Sequence, residues 1–397
     1  MSINYISDFR KLAPKCQRFI FLYFIRAISA GIAFYIGIYL AHIHMKWSVI
    51  GYEVSALSAG CLLGAWLASK LSDKYNPFVC SGYSLILQGI CFLSIAYSSL
   101  PLLLGIAVFL YGASGYFYLS LNNYIITSYA GNSEQQRTQA ISYSSVASNL
   151  GLFAGGVVVS CLTKVYATLA FTLVGIALVM AAYFYIVDKG DSSALKLSNE
   201  TDETGSSQLI YSTTLFITFL LGCIFAQQRV GYQIFLESHF DGSQISGLIG
   251  LNTFLIIALL PSLTNHVMRF DKMRVMGFGC VILGLGMYLT ILSNDYFFIV
   301  LLCVVRTIGE MIATVVSQYL CFQSSPKTAR GKAMGQYKLT FAMGILVGSI
   351  LGSNVLVHSG MNHVWELCGV IGLICIVTCL LVGFYKSTSN EGGLSIG

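Results

Sequence analysis

The amino-acid sequence predicts an all-α membrane protein: twelve transmembrane helices arranged as two pseudo-symmetric six-helix bundles. Three observations carry this expectation. The 397 residues are 56% hydrophobic and only 10% charged, and the apolar residues come in blocks of membrane-spanning length. Lysine and arginine collect in alternate connecting segments. A stretch of the first half recurs, in register, in the second.

A soluble domain carries roughly 25% charged residues, so this apolar excess is too large for one globular core. Blocks of about 20 residues match a hydrocarbon layer roughly 30 Å thick. Lipid offers the backbone no hydrogen bonds, so each block must be a helix. The net charge of +6 does not indicate a nucleic-acid partner, because the basic residues fall in short loops and not on one polar face. The 12 cysteines lie mostly inside apolar blocks, as Cys61, Cys223, Cys303 and Cys375 do. They read as small buried hydrophobes, with no disulfide frame and no zinc spacing. No cofactor or metal is expected.

The apolar blocks place spans near residues 18–41, 48–69, 79–97, 101–128, 138–162 and 166–187, then 211–236, 243–266, 275–293, 296–320, 333–357 and 363–385. Between the two sets lies DKGDSSALKLSNETDETGSSQ, polar, acidic and rich in Ser and Thr, which reads as a linker. The expected organisation is therefore an N-terminal bundle over residues 1–187, a cytoplasmic linker over 188–210 and a C-terminal bundle over 211–397.

Orientation follows from the Lys/Arg bias. With the N-terminus in the cytoplasm, the inner segments hold Arg10, Lys11, Lys15, Arg18, Lys70, Lys74, Arg137, Lys189, Lys196, Arg269, Lys272, Arg274, Lys327, Arg330, Lys332 and Lys386, against Lys46 and Lys164 outside. Both termini and the linker are thus expected in the cytoplasm of a cell whose inner (plasma) membrane the chain crosses. The repeat sets RTQAISYSSVASNLGLFAGG, from Arg137, against RGKAMGQYKLTFAMGILVGS, from Arg330. Arg137 pairs with Arg330, Ala140 with Ala333, Gly151 with Gly344 and Gly155 with Gly348. The basic turn at SDKYNPFVCSG, from Ser72, falls opposite HVMRFDKMRVMG, from His266. Duplication of this kind marks carriers whose substrate binds between the repeats near the bilayer midplane.

With six plus six helices, a long central linker and basic turns after spans 2 and 8, the chain resembles the Major Facilitator Superfamily. The signature turn of that family between spans 2 and 3, G-x-L-x-D-R-x-G-R-R, reads here SKLSDKYNPF from Ser69. Leu71 and Asp73 match and Lys74 keeps the charge. Ser69 and Asn76 stand at the glycines, and Pro77 and Phe78 at the last two basic positions. Asn76 is a residue able to adopt the left-handed conformation the turn glycine would take. The resemblance implies a gating role for Asp73 and Lys74, with Asp73 binding the N-terminus of a neighbouring helix. The glycine-rich stretch in span 5 is similar to that of the drug–proton antiporter branch, with Ala147, Gly151, Leu152, Gly155 and Gly156 at its positions and no proline.

The resemblance also implies that spans 1, 4, 7 and 10 line a central cavity. A charge at mid-membrane costs about 2.5–3.5 kcal/mol on insertion scales, so ionisable groups there tend to mark function. Span 1 carries Arg26, with Ser29, Ala30, Ala33 and Gly37 on its face and Ile25, Ile28, Ile32 and Ile36 on the side expected to meet lipid. Span 7 carries Arg229 beside Gln227 and Gln228. Span 10 carries Arg306 and Glu310 one turn apart, span 4 offers Tyr116, Tyr118, Asn122 and Asn123, and Lys338 sits near the cytoplasmic mouth of span 11. Arginine presents a planar fork that matches carboxylates and phosphates. The expected substrate site is Arg26, Asn122, Asn123, Gln227, Gln228, Arg229 and Arg306, for an anionic organic solute. Glu310 and Glu53 are the acids expected to carry protons. Arg306 favours the charged form of Glu310, and an anion that occupied Arg306 would make Glu310 easier to protonate. His42 and His44 lack a third ligand, so they do not make a metal site.

No HExxH, GxSxG or P-loop sequence occurs, so an enzyme is not expected, and duplicated halves suit alternating access better than a channel. The expected protein is a monomeric secondary active transporter of a small organic solute, anionic and proton-coupled. Its alternatives are a proton-driven multidrug efflux pump and a carrier of a carboxylate siderophore or other metabolite.

Overall fold

The computed structural model describes residues 9–34, 47–98, 100–131, 133–160, 164–188, 207–229 and 231–392. Among them all regular structure is helical. The elements are α1 (Pro14–Phe34), α2 (Trp47–Leu71), α3 (Pro77–Tyr97), α4 (Pro101–Tyr129), α5 (Glu134–Ser160), α6 (Lys164–Val187), α7 (Gln208–Arg229), α8 (Gly231–His239), α9 (Gly242–Val267), α10 (Lys272–Tyr288), α11 (Tyr296–Ser324), α12 (Arg330–Ser359) and α13 (Met361–Gly392). Eleven helices among the described residues are long and apolar enough to cross a membrane, α7 and α8 counting as one, and α2 holds a shorter apolar stretch, Ala56–Leu71. The twelve expected spans thus correspond to α1–α6, α7 with α8, and α9–α13. The chain is an all-α, multi-pass membrane protein.

Local chemistry sets the helix ends. Asn76 caps α3 by accepting from the N–H groups of Phe78 (3.0 Å) and Val79 (3.4 Å), with Pro77 at the first helical position. Asn76 does not use the left-handed conformation open to it: φ is −64° and ψ 117°, an extended cap. The following proline disfavours helical backbone at this residue, and its side-chain oxygen is worth more facing the helix start. Asp241 and Gln244 form a reciprocal capping box at α9. Asp271 and Asp295 cap α10 and α11. Gly131 (φ 110°) and Gly360 (φ 91°) close α4 and α12 in conformations that a side chain would oppose.

Two compact units result. The first comprises α1–α6 with Pro326–Leu339, the start of α12; the second takes α7–α11, α12 from Thr340 onward, and α13. Within the first, α1 packs on α5, α2 on α4, and α3 on both α4 and α6. Within the second, α9 packs on α11, and α10 on both α11 and α13. The repeat is therefore a repeat of packing partners. In lipid, apolar side chains gain little by leaving an equally apolar solvent, so close van der Waals contact between small residues holds helices together. A Cβ added to Gly151 of α5 would stand 2.8 Å from the Phe24 carbonyl oxygen of α1, and one on Gly155 would stand 2.8 Å from Gly31 Cα. Their repeat partners behave alike: a Cβ on Gly344 of α12 would stand 3.0 Å from Gly222 Cα of α7, and one on Gly348 would stand 2.8 Å from the Cys223 carbonyl oxygen.

The halves differ at one pair. Gly60, Gly64 and Gly112 bring α2 and α4 into backbone contact, with a Cβ on Gly64 only 2.9 Å from Ala113 Cα. On α9, Gly242 and Gly250 face open space. There the tie to α11 is polar: Asn252 Nδ2 donates to Thr307 Oγ1 (2.8 Å), and Tyr296 Oη of α11 donates to the Gln244 carbonyl (3.3 Å). Pro261 interrupts the α9 backbone ladder.

Candidate functional site

Arg26 sits in the middle of α1 on a buried stripe with Tyr23, Ser29 and Ala33, and is itself 6% exposed. Its Nε donates to Gln88 Oε1 of α3 at 3.1 Å, and its guanidinium lies 6.0 Å from the centre of the Tyr118 ring. Ser29 Oγ donates to the Arg26 carbonyl (2.6 Å) and shares a hydrogen bond with Tyr111 Oη (2.9 Å). The neighbouring charge is another cation, Lys338, in the part of α12 that belongs to this unit. Among the described residues neither has a carboxylate partner. The expected lipid side of α1 needs correction. Ile32 is fully buried in a core with Phe92, Tyr111 and Phe171, because α3, α4 and α6 wrap this end of the helix; Ile36 lies outside the described residues.

On α4, Asn122 is buried and accepts from Tyr185 Oη at 2.5 Å, while Tyr185 and Tyr118 share a further hydrogen bond at 2.8 Å. Its Nδ2 is buried without a partner. Asn122 thus belongs to a polar knot between α4 and α6. Asn123 is 4% exposed.

In the second unit Arg306, 7% exposed, lies 4.0 Å from the centre of the Tyr232 ring. Its Nη1 and Nη2 meet Met287 Sδ (3.7 Å) and Cys303 Sγ (3.8 Å), both weak acceptors, and its Nε is buried without a partner. Glu310, one turn along α11 and half-buried, is the acid whose charge it feels. Gln227 Nε2 donates to the Gly348 carbonyl at 2.6 Å, a tie between α7 and α12 that leaves little of this amide for a solute. Gln228 is half-buried and its Nε2 has no partner. Arg229 ends α7, and its side chain, like that of Glu53 in α2, lies outside the described residues, as do His42 and His44 altogether.

Asp73 follows α2 in the turn toward α3. Its Oδ1 accepts the Lys332 N–H at 3.0 Å, in the first turn of α12, and the Gly331 N–H also reaches the carboxylate. First-turn N–H groups have no intrahelical acceptor, so the carboxylate supplies one. A Cβ on Gly331 would stand 2.6 Å from Asp73 Oδ1, and one on Gly335 would stand 2.5 Å from Ser69 N, so both glycines permit the approach. Asp73 is exposed on its outer side, but its carboxylate gives up part of its water against α12, and this raises its pKa above the usual carboxylate value in spite of the two backbone hydrogen bonds and the Lys332 charge. Lys74 is exposed beside it.

Two partners of the arginines escaped the sequence reading. Gln88 touches Arg26 from α3, outside the spans expected to line the cavity, and Tyr232 touches Arg306 from α8, inside the expected span 7. The signal for Gln88 was a single amide amid the apolar run SLILQGICFL. Tyr232 follows closely on Arg229 in the sequence, and nothing in its neighbourhood there distinguishes it from a packing aromatic.

Helices of membrane-spanning length, packed in a duplicated pattern around buried arginines, make this a polytopic membrane protein. A sequence model of the Major Facilitator Superfamily matches residues 19–263 and again residues 230–394, and the chain belongs to that family. No curated protein matches it by sequence. Among solved structures of the same fold is the human organic anion transporter MFSD10 (TETRAN). It is 14% identical, with a TM-score of 0.75, over 92% of this chain and 100% of that one.

Proposed function

We propose that this transporter carries a small organic anion by alternating access, coupled to protons. The observation that supports it most is Arg26, buried to 6% exposure beside a second cation, Lys338, and matched by no carboxylate among the described residues. An uncompensated cation out of water costs several kcal/mol. An anion at 4 Å returns about 4 kcal/mol at an effective dielectric of about 20. Such a site is better occupied than empty. The organic anion transporter with which this chain shares its fold is consistent with that substrate class.

Glu310 is the proposed proton carrier, half-buried and within the field of Arg306. Glu53 is a second candidate, and Asp73 with Lys74 the proposed gate. The Lys/Arg bias supports an inner (plasma) membrane location with both termini cytoplasmic, and the protein is proposed to act as a monomer. A proton-driven multidrug efflux pump is the alternative, with support from the span 5 glycines. A carboxylate siderophore or similar metabolite would fit within the anion class.

Flux into proteoliposomes under an imposed pH gradient, with a panel of organic anions and cationic dyes, tests the reading. Saturable, gradient-dependent movement of an anion is expected. Cationic dyes competing fully, with organic anions inert, would overturn it in favour of the efflux pump.

A further inference from the structure

We propose that Gln88 of α3 is a positioning residue that aims the Arg26 guanidinium and thereby sets the charge preference of the site. This rests on the anion reading of Arg26 above. Gln88 is fully buried, and its amide is fixed at both ends. Nε2 donates to the Ser84 carbonyl (3.2 Å), which turns Oε1 toward Arg26 Nε (3.1 Å). Arginine has five N–H donors in a rigid fork. The described hydrogen bonding takes only the one on Nε, at the rear of the fork, so both Nη groups are left for a solute.

The opposite wall does the complementary work. A Cβ added to Gly115 of α4 would stand 2.5 Å from Arg26 Nη2, so the guanidinium head rests over bare backbone. The Tyr118 ring bounds it on a further side. The Tyr118 hydroxyl is engaged with that of Tyr185 at 2.8 Å, so its ring, rather than its hydroxyl, is what Arg26 meets.

The chemical choice at position 88 is one atom. An amide oxygen satisfies Arg26 Nε and leaves the positive charge whole. A carboxylate of the same shape would still accept from Arg26 Nε, but it would lose the donor to the Ser84 carbonyl and cancel the charge. Burial makes that difference large, since charge is screened least where water is absent. A glutamine here therefore keeps the fork both oriented and cationic, which is what recognition of an anion requires.

The test uses the full-length protein in proteoliposomes and follows KM and maximal rate for the anions of the panel and for cationic dyes. Gln88→Glu is expected to raise the anion KM at least tenfold with little change in maximal rate, and to admit neutral or cationic solutes. Gln88→Met, which frees Arg26 without neutralising it, is expected to raise the anion KM severalfold and admit no cation. Gly115→Ala, which displaces the head, is expected to act like Gln88→Met. A Gln88→Glu protein that melts like the wild type in detergent and carries anions with the wild-type KM would overturn the proposal. Should Gln88→Glu not fold, wild-type KM values in both Gln88→Met and Gly115→Ala would overturn it instead. Arg26→Gln separates the two levels. If it abolishes anion transport while the Gln88 variants change nothing, only the role of Gln88 falls. If it leaves anion transport intact, the anion reading of Arg26 falls first.

Discussion

Replacing Asp73 by alanine should loosen the start of α12 by a measurable amount. The carboxylate accepts the N–H of Lys332 at 3.0 Å and also that of Gly331. Both lie in a first helical turn, where the helix provides no acceptor of its own. Loss of an N-terminal cap costs about 0.5–2 kcal/mol, which corresponds to roughly 2- to 30-fold in the equilibrium for opening those amides. Asparagine keeps a neutral oxygen in the same place and should retain most of the protection. Hydrogen–deuterium exchange of the peptide spanning Thr328–Gln336 reads this directly. Asp73→Ala should exchange faster within that range, Asp73→Asn should resemble the wild type, and peptides of α3 should not change. If Asp73→Ala protects Gly331 and Lys332 as well as the wild type does, the carboxylate is not the acceptor that holds this turn. Its proposed gating role would go with it.

Asp73 also carries a sign that pH can test. Partial loss of water against α12 raises its pKa in the packed state, so that state takes up a proton somewhat more readily than an open one. Its contribution is present at low pH and is lost as pH rises through the raised pKa, so the wild type should gain thermal stability relative to Asp73→Asn as pH falls toward about 4. Gln227→Leu should lower stability by about 1 kcal/mol, because the Gly348 carbonyl loses its donor, yet leave the anion KM unchanged; a raised KM would return Gln227 to the substrate site. Gly344→Val should fail to accumulate or melt far earlier than the wild type, since backbone of α7 occupies the space the side chain needs. Glu310→Gln should abolish acceleration by an imposed pH gradient while leaving anion exchange at zero gradient, as measured by radiolabel counterflow. Retained proton-driven accumulation would remove Glu310 from the proposed mechanism.

The spans were legible because lipid leaves the backbone one solution, and length and polarity of the blocks then set their number. The repeat was legible because it was written in glycines, whose spacing survives where side-chain identity drifts. What the sequence reading missed lies in contacts made across helices. Gln227 looked like a cavity residue from its neighbours in α7, and only the position of Gly348 shows where its amide is bound. Ile32 looked lipid-facing from its spacing on α1, but helix periodicity gives a face without saying what that face meets. Asn76 is able to take the left-handed conformation of a turn glycine, but Pro77 and the helix after it favour an extended cap. Gln88 was passed over because family analogy directed attention to other helices.

The unequal seams within the two units carry a mechanical consequence. Joined backbone to backbone, α2 and α4 have almost no freedom to slide without collision, so they should travel as one stiff plank. The corresponding α9 touches α11 through side-chain hydrogen bonds that can exchange partners, and Pro261 gives it a joint. Strain arriving at both copies would be absorbed by the later one. A duplicated architecture can in this way yield an asymmetric stroke, with compliance concentrated in a single helix.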